Sequence, residues 1–159
     1  MDRILKEIVM ENLSLIFFLG ISFIILIIDI RKMYIPNTLN LIFLIAAFYY
    51  RGIDISEIEN GIFGAGVYTL PLLFFYGYGS DLAKKEIMGF GDIKLMMGIG
   101  YILGYNDFYT VYIYYLGTFL LAAIFCIIYI LKKKMYRGEI AFSPFLLFSF
   151  YYILFLEKI

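Results

Sequence analysis

Residues 108–134 read FYTVYIYYLGTFLLAAIFCIIYILKKK, in which 108–131 carry no charge and three lysines follow at once. A helix needs roughly 20 apolar residues to cross a hydrocarbon core about 30 Å thick, so this stretch is a membrane span. Lys132, Lys133 and Lys134 mark where it leaves the lipid. Working outward, the same alternation of apolar block and charged cluster fills the chain. Spans are expected at about 13–30, 37–50, 60–79, 108–131 and 140–156, and a shorter one from around 87–93 to Gly104. The fold class is therefore all-α, a polytopic membrane bundle of six transmembrane helices forming one domain over residues 1–159.

Composition agrees, with 64% hydrophobic residues, 16% charged residues and a mean hydropathy of +0.90. A soluble domain would have to bury nearly all of itself. The formal net charge is zero, and no basic patch with interleaved aromatics is present, so no nucleic-acid partner is expected. The partner that composition implies is the lipid bilayer. The first apolar block lacks a small-residue cleavage site and runs into Asp29-Ile30-Arg31-Lys32, so it reads as a retained span rather than a signal peptide.

Local signals refine the spans. Residues 1–11 place Ile4, Leu5, Ile8 and Val9 at helical spacing among charges, which fits a short helix lying in the interface. Pro36 fits the first turn of the second span, where its missing N–H is not needed. Residues 51–59 read as a polar, acidic loop. Gly61, Gly64 and Gly66 fit close helix approach, and Pro71 fits a kink. The span that ends at Gly104 is too short to stand free in lipid, so its first turn must be sheltered by other helices or open to water.

Lys and Arg set the orientation, because cytoplasmic loops are enriched in them. The loops after spans 1, 3 and 5 hold Arg31, Lys32, Lys84, Lys85, Lys132, Lys133, Lys134 and Arg137. The other side holds Arg3, Lys6, Arg51 and Lys158, with Lys94 just inside span 4. Both termini are thus expected outside a cell membrane. Asp29, which closes span 1, and Asp92, which opens span 4, then fall together at the cytoplasmic end.

The chemistry available is narrow. The chain has no histidine, and Cys126 is its only cysteine, which removes Ser-His, Cys-His and the usual zinc sites. No metal and no cofactor are expected. Asp54, Glu57, Glu59 and Asp107 read as solvated loop groups. Asp29 differs because the apolar run Ile24 to Ile28 leads directly into it, and Asp92 differs because Gly89-Phe90-Gly91 precedes it. Glycines there let another backbone, such as an extended peptide, approach the carboxylate. They also fit simple helix-start punctuation, with Asp92 as N-cap.

Two carboxylates at one depth on separate helices can share a proton, one acting as base and the other as acid. That arrangement hydrolyses a peptide without a metal. Lys94 lies on nearly the opposite helix face from Asp92 and is expected to snorkel to the cytoplasm. Lys32, three residues after Asp29, can pair with it if the helix continues. Ser80 with Lys84 or Lys85 offers a Ser-Lys alternative, but those lysines sit in a charged loop. A different class of reading, a small transporter or assembly subunit whose aspartates carry protons, also accounts for membrane carboxylates.

Three segments decide between these readings. Asp29-Ile30-Arg31-Lys32-Met33-Tyr34-Ile35-Pro36-Asn37, Gly89-Phe90-Gly91-Asp92-Ile93-Lys94-Leu95 and Ile140-Ala141-Phe142-Ser143-Pro144-Phe145-Leu146 together resemble the type IV prepilin peptidase family, archaeal preflagellin peptidases included. The second is its GxGD motif. In the third, Ala141 and Ser143 replace the usual Pro and Gly of a Pro-Phe-Gly-Pro element. The resemblance implies an aspartic endopeptidase with Asp29 and Asp92 as the catalytic pair. It also implies supporting or substrate-approach roles for Pro36, Asn37, Gly89, Gly91 and Lys94. The substrate implied is a pilin-like or archaellin-like precursor whose short basic leader is cut at the cytoplasmic face. The extra segment with paired CxxC motifs of the methylating bacterial members is absent, so peptidase activity alone is expected.

Overall fold

The computed structural model describes residues 2–133 and 140–157, all of whose regular structure is helical. Among the described residues there are six helices: α1 Asp2–Lys32, α2 Asn37–Arg51, α3 Ile55–Ala83, α4 Phe90–Leu103, α5 Phe108–Lys133 and α6 Ser143–Glu157. Two among the described residues, α3 and α5, are long and apolar enough to cross a membrane by themselves. At 15, 14 and 15 residues, α2, α4 and α6 fall short of the roughly 20 that a free span requires. Lys134, Arg137 and Lys158, and the side chains of Ile4, Leu5, Ile8 and Val9, lie outside the described residues.

Several boundaries depart from expectation for identifiable reasons. Among the described residues no separate interfacial helix precedes span 1, because α1 runs unbroken from Asp2 to Lys32. It stops where Met33 turns left-handed at φ 51. Pro36 sits one residue ahead of α2, as its N-cap, and its carbonyl accepts from the N–H groups of Leu39 and Asn40 at 3.0 and 3.3 Å. The supposed loop 51–59 is half helix: extended Asp54 ends the turn, and α3 begins at Ile55 with Glu57 in its first turn, where a carboxylate is favoured by the helix dipole. Pro71 lies inside α3, and a π-helical turn, Phe75–Gly79, follows it.

Helix α4 is the axis of the molecule. It packs most extensively against α3 and α2, and it also meets α6. Asp92, Ile93, Leu95, Met96 and every residue from Gly98 to Leu103 are buried, and a helix apolar all round belongs inside a bundle. This explains its shortness, since protein shelters its ends. Glycine makes the approach possible: a Cβ on Gly61 would lie 2.7 Å from the Tyr101 ring, and one on Gly98 would lie 2.6 Å from the Phe43 ring. Gly64 faces the backbone of Gly100 and Gly104 directly. Gly66, expected to share this role, faces open space.

Arg51 fixes the far end of α4. Its guanidinium donates to the carbonyls of Tyr101 and Ile102 at 3.4 and 3.0 Å and pairs with Glu57 at 2.8 Å. Glu57 is thus an ion-pair partner rather than a free loop group, although its side chain stays 47% exposed against 10% for Arg51. Asp107 is no idle loop residue either. It accepts from the Thr110 hydroxyl and N–H at 2.5 and 2.8 Å and so caps α5; these bonds hold its carboxyl below the usual range.

Candidate active site

Asp29 and Asp92 come from opposite kinds of helix position. Asp29 lies one turn before the end of α1, and Asp92 is the third residue of α4, its N–H bonded to the Gly89 carbonyl at 3.1 Å. The N-cap is Gly89, not Asp92. Both carboxylates are buried, at 5% and 7% exposure. Asp29 Oδ2 accepts a hydrogen bond from the Ser143 N–H at 3.2 Å, whereas Asp92 Oδ1 is buried with no hydrogen-bond partner among the described residues.

The turn between α1 and α2 closes against the start of α4. A Cβ on Gly91 would stand 3.0 Å from Ile35 Cβ, so this glycine makes room for the chain's own Ile35-Pro36-Asn37 turn rather than for an incoming peptide. Gly89 differs, since only Asp92 Oδ2 lies near its missing side chain, at 3.6 Å, and its φ of −72 suits any residue. Gly89 itself is exposed. Lys94 keeps away from Asp92 as expected, but it finds a partner: Nζ donates to Asn37 Oδ1 at 2.8 Å and stands 5.1 Å from the centre of the Phe90 ring. No ion pair joins Lys32 to Asp29 among the described residues. Ser80 Oγ accepts from the Ile87 N–H at 3.4 Å, shaping the loop before Gly89.

Two contacts beside these carboxylates were not foreseen from the sequence. Asn40 is buried and donates from Nδ2 to the Gly91 carbonyl at 3.0 Å, fixing the residue beside Asp92. Its signal was a polar residue in an apolar helix, one turn after Pro36. Ser143 acts through its main chain, for which side-chain chemistry gives no signal.

The comparison with known families decides the identity: the family model described as the type IV leader peptidase family matches residues 16–131. The chain belongs to the type IV leader peptidase family. This leader peptidase is accordingly an aspartic-type prepilin peptidase and a membrane protein, and its family implies prepilin-like substrates. The matched span contains Asp29, Asn40 and Asp92 and stops before Ser143. No curated protein and no solved structure matches the chain. Among the described residues no group of His, Cys, Asp and Glu is arranged to hold a metal ion.

Asn40→Leu tests how firmly the peptidase holds this region. Losing one buried hydrogen bond costs about 1 kcal/mol, which is expected to lower Tm by roughly 2–4 °C for a chain of this size. Cleavage should fall further than Tm alone accounts for, because the bonded carbonyl adjoins Asp92. An unchanged kcat in the folded Asn40→Leu protein would show that this tie does not position the carboxylate.

Proposed function

We propose that Asp29 and Asp92 together hydrolyse the bond between a short basic leader and the hydrophobic helix of a pilin-like or archaellin-like precursor. The observation that carries this reading is that two carboxylates from separate helices are both buried, where the turn after α1 closes on the start of α4 through Ile35 and Gly91, with one Asp92 oxygen lacking a hydrogen-bond partner among the described residues. Two anions so placed resist ionising together, so the pair holds one proton. The ionised member takes a proton from water as the water oxygen attacks the peptide carbonyl. The protonated member supports the oxyanion and then gives its proton to the leaving amine as the C–N bond breaks. Water is consumed, and no electron changes hands.

The topology proposed with it has six spans in one membrane domain, both termini outside, and the loops after α1, α3 and α5 in the cytoplasm. Eight Lys and Arg in those loops against four outside support that orientation. It brings the aspartates to the side where the leader lies. Because the sequence carries no paired CxxC segment, hydrolysis is the sole reaction proposed.

Purified protein incubated with a precursor bearing a basic leader, a Gly and an apolar helix should yield two products whose masses add to the precursor plus one water. Chelator should leave the rate unchanged. Intact precursor after prolonged incubation would defeat the reading. Orientation is checked separately in a Cys126→Ala background. A cysteine at Asp54, away from the Arg51–Glu57 pair, should react with an impermeant thiol reagent outside intact cells, and one at Lys85 should not. Labelling at Lys85 would invert the topology.

A further inference from the structure

The start of α6 poses an accounting question. The first N–H groups of a helix have no partner within it and must find one elsewhere when buried. Here Phe145 and Leu146 both donate to the Phe142 carbonyl, at 3.1 and 3.4 Å. Pro144 has no N–H to offer. Ser143 is fully buried, and its N–H goes to Asp29 Oδ2, 114 residues away in sequence. The same turn is fixed from its other side, because the Tyr114 hydroxyl of α5 donates to the Leu146 carbonyl at 2.9 Å. A carboxylate oxygen is thus held by a main-chain donor whose own position is set by packing, which is more exact than a mobile side chain could provide.

We infer that the Ser143 main-chain N–H is a positioning group for the reaction: it holds Asp29 Oδ2 and turns the other oxygen, Oδ1, toward the reacting water. This rests on Asp29 being a member of the cleaving pair. The N–H can only donate, so the oxygen it holds serves as an acceptor, and the field at the start of a 15-residue helix favours a negative group there. Asp92 has no such tie on Oδ1. Ser143 is a positioning residue that works through Asp29 and is not itself a reagent. The N–H, not the hydroxyl, is the working part, since Ser143 Oγ has no hydrogen-bond partner among the described residues.

Proline is well accommodated at the first position of a helix, so Ser143→Pro removes the donor while keeping the helix start. A second variant avoids the bulk of the proline ring by replacing the Phe142–Ser143 amide with an ester, lactic acid standing at 143, with Ser143→Ala as its reference. Single-turnover and steady-state cleavage of a precursor with a basic leader, a Gly and an apolar helix are measured for each, with Asp29→Asn in parallel. Misplacing a reacting group by about 1 Å costs on the order of 100-fold, so the Pro and ester variants should lose about that in kcat with KM within about twofold. Ser143→Ala and Ser143→Gly keep the N–H and should stay within about threefold of the wild type. An ester variant as fast as Ser143→Ala, or a Ser143→Gly as slow as the ester, overturns the inference. Cleavage by Asp29→Asn would instead overturn the pair itself, so the two failures are separable.

Discussion

Asp29→Asn and Asp92→Asn are each expected to lower precursor cleavage by about a thousandfold or more, the upper range for loss of a general acid or base. An amide can neither accept the proton of the attacking water nor deliver one to the leaving amine, so either change halts the cycle. The fold should survive both. An Asn carbonyl at position 29 can still accept from the Ser143 N–H, and a neutral amide at position 92 is less costly to bury than a carboxylate. Asp54→Asn and Asp107→Asn should act within a few-fold of the wild type, since Asp54 is exposed and Asn at 107 still caps α5. Rates with purified, folded protein and one precursor decide the matter. Substantial turnover by Asp29→Asn would leave Asp92 in need of another partner.

Gly64→Ala is expected to be the most damaging change of a single methyl group in the chain. Its Cβ would lie 2.6 Å from Gly104 Cα and nearer still to the Gly100 carbonyl oxygen. Those neighbours are backbone, so no side chain can rotate away, and α3 must move off α4. Overpacking of a good core costs 1–3 kcal/mol and more where nothing can yield, so a loss of at least about 3 kcal/mol is expected. That corresponds to a fall in Tm of roughly 6–12 °C. Gly66→Ala is the control: two residues away and facing open space, it should leave Tm unchanged or slightly raised, because Ala favours a helix over Gly by up to about 1 kcal/mol. Thermal unfolding in detergent distinguishes them, and equal Tm values would show that α3 and α4 are not in contact through glycine. Because α4 carries Asp92, cleavage should fall with stability in Gly64→Ala.

What could be read from the sequence was what hydropathy and charge encode. Uncharged runs gave the helices, clustered lysines are the basis of the proposed orientation, and the apolar approach to Asp29 with the glycines before Asp92 singled out two carboxylates that are both buried. Contacts between distant residues were not legible. Nothing local says that Gly91 faces Ile35, that Lys94 reaches Asn37, or that Arg51 caps α4, because each depends on how two helices meet. Acidic residues misled at 51–59, where the composition of a polar loop and that of a capped helix start coincide. Ser143 lay deepest, since a main-chain N–H is the same in every residue but proline, and only the path of α6 brings this one to Asp29.

The pairing of Asp29 with Asp92 is tested most directly by the double substitution. Single-turnover cleavage of one precursor is measured for the wild type, Asp29→Asn, Asp92→Asn and the protein carrying both changes. Groups that act as a unit are not additive. The double variant should therefore cleave about as slowly as either single one. Losses that multiply, giving a double variant slower than each single by the full factor of the other, would contradict a shared proton and assign the two aspartates to separate tasks.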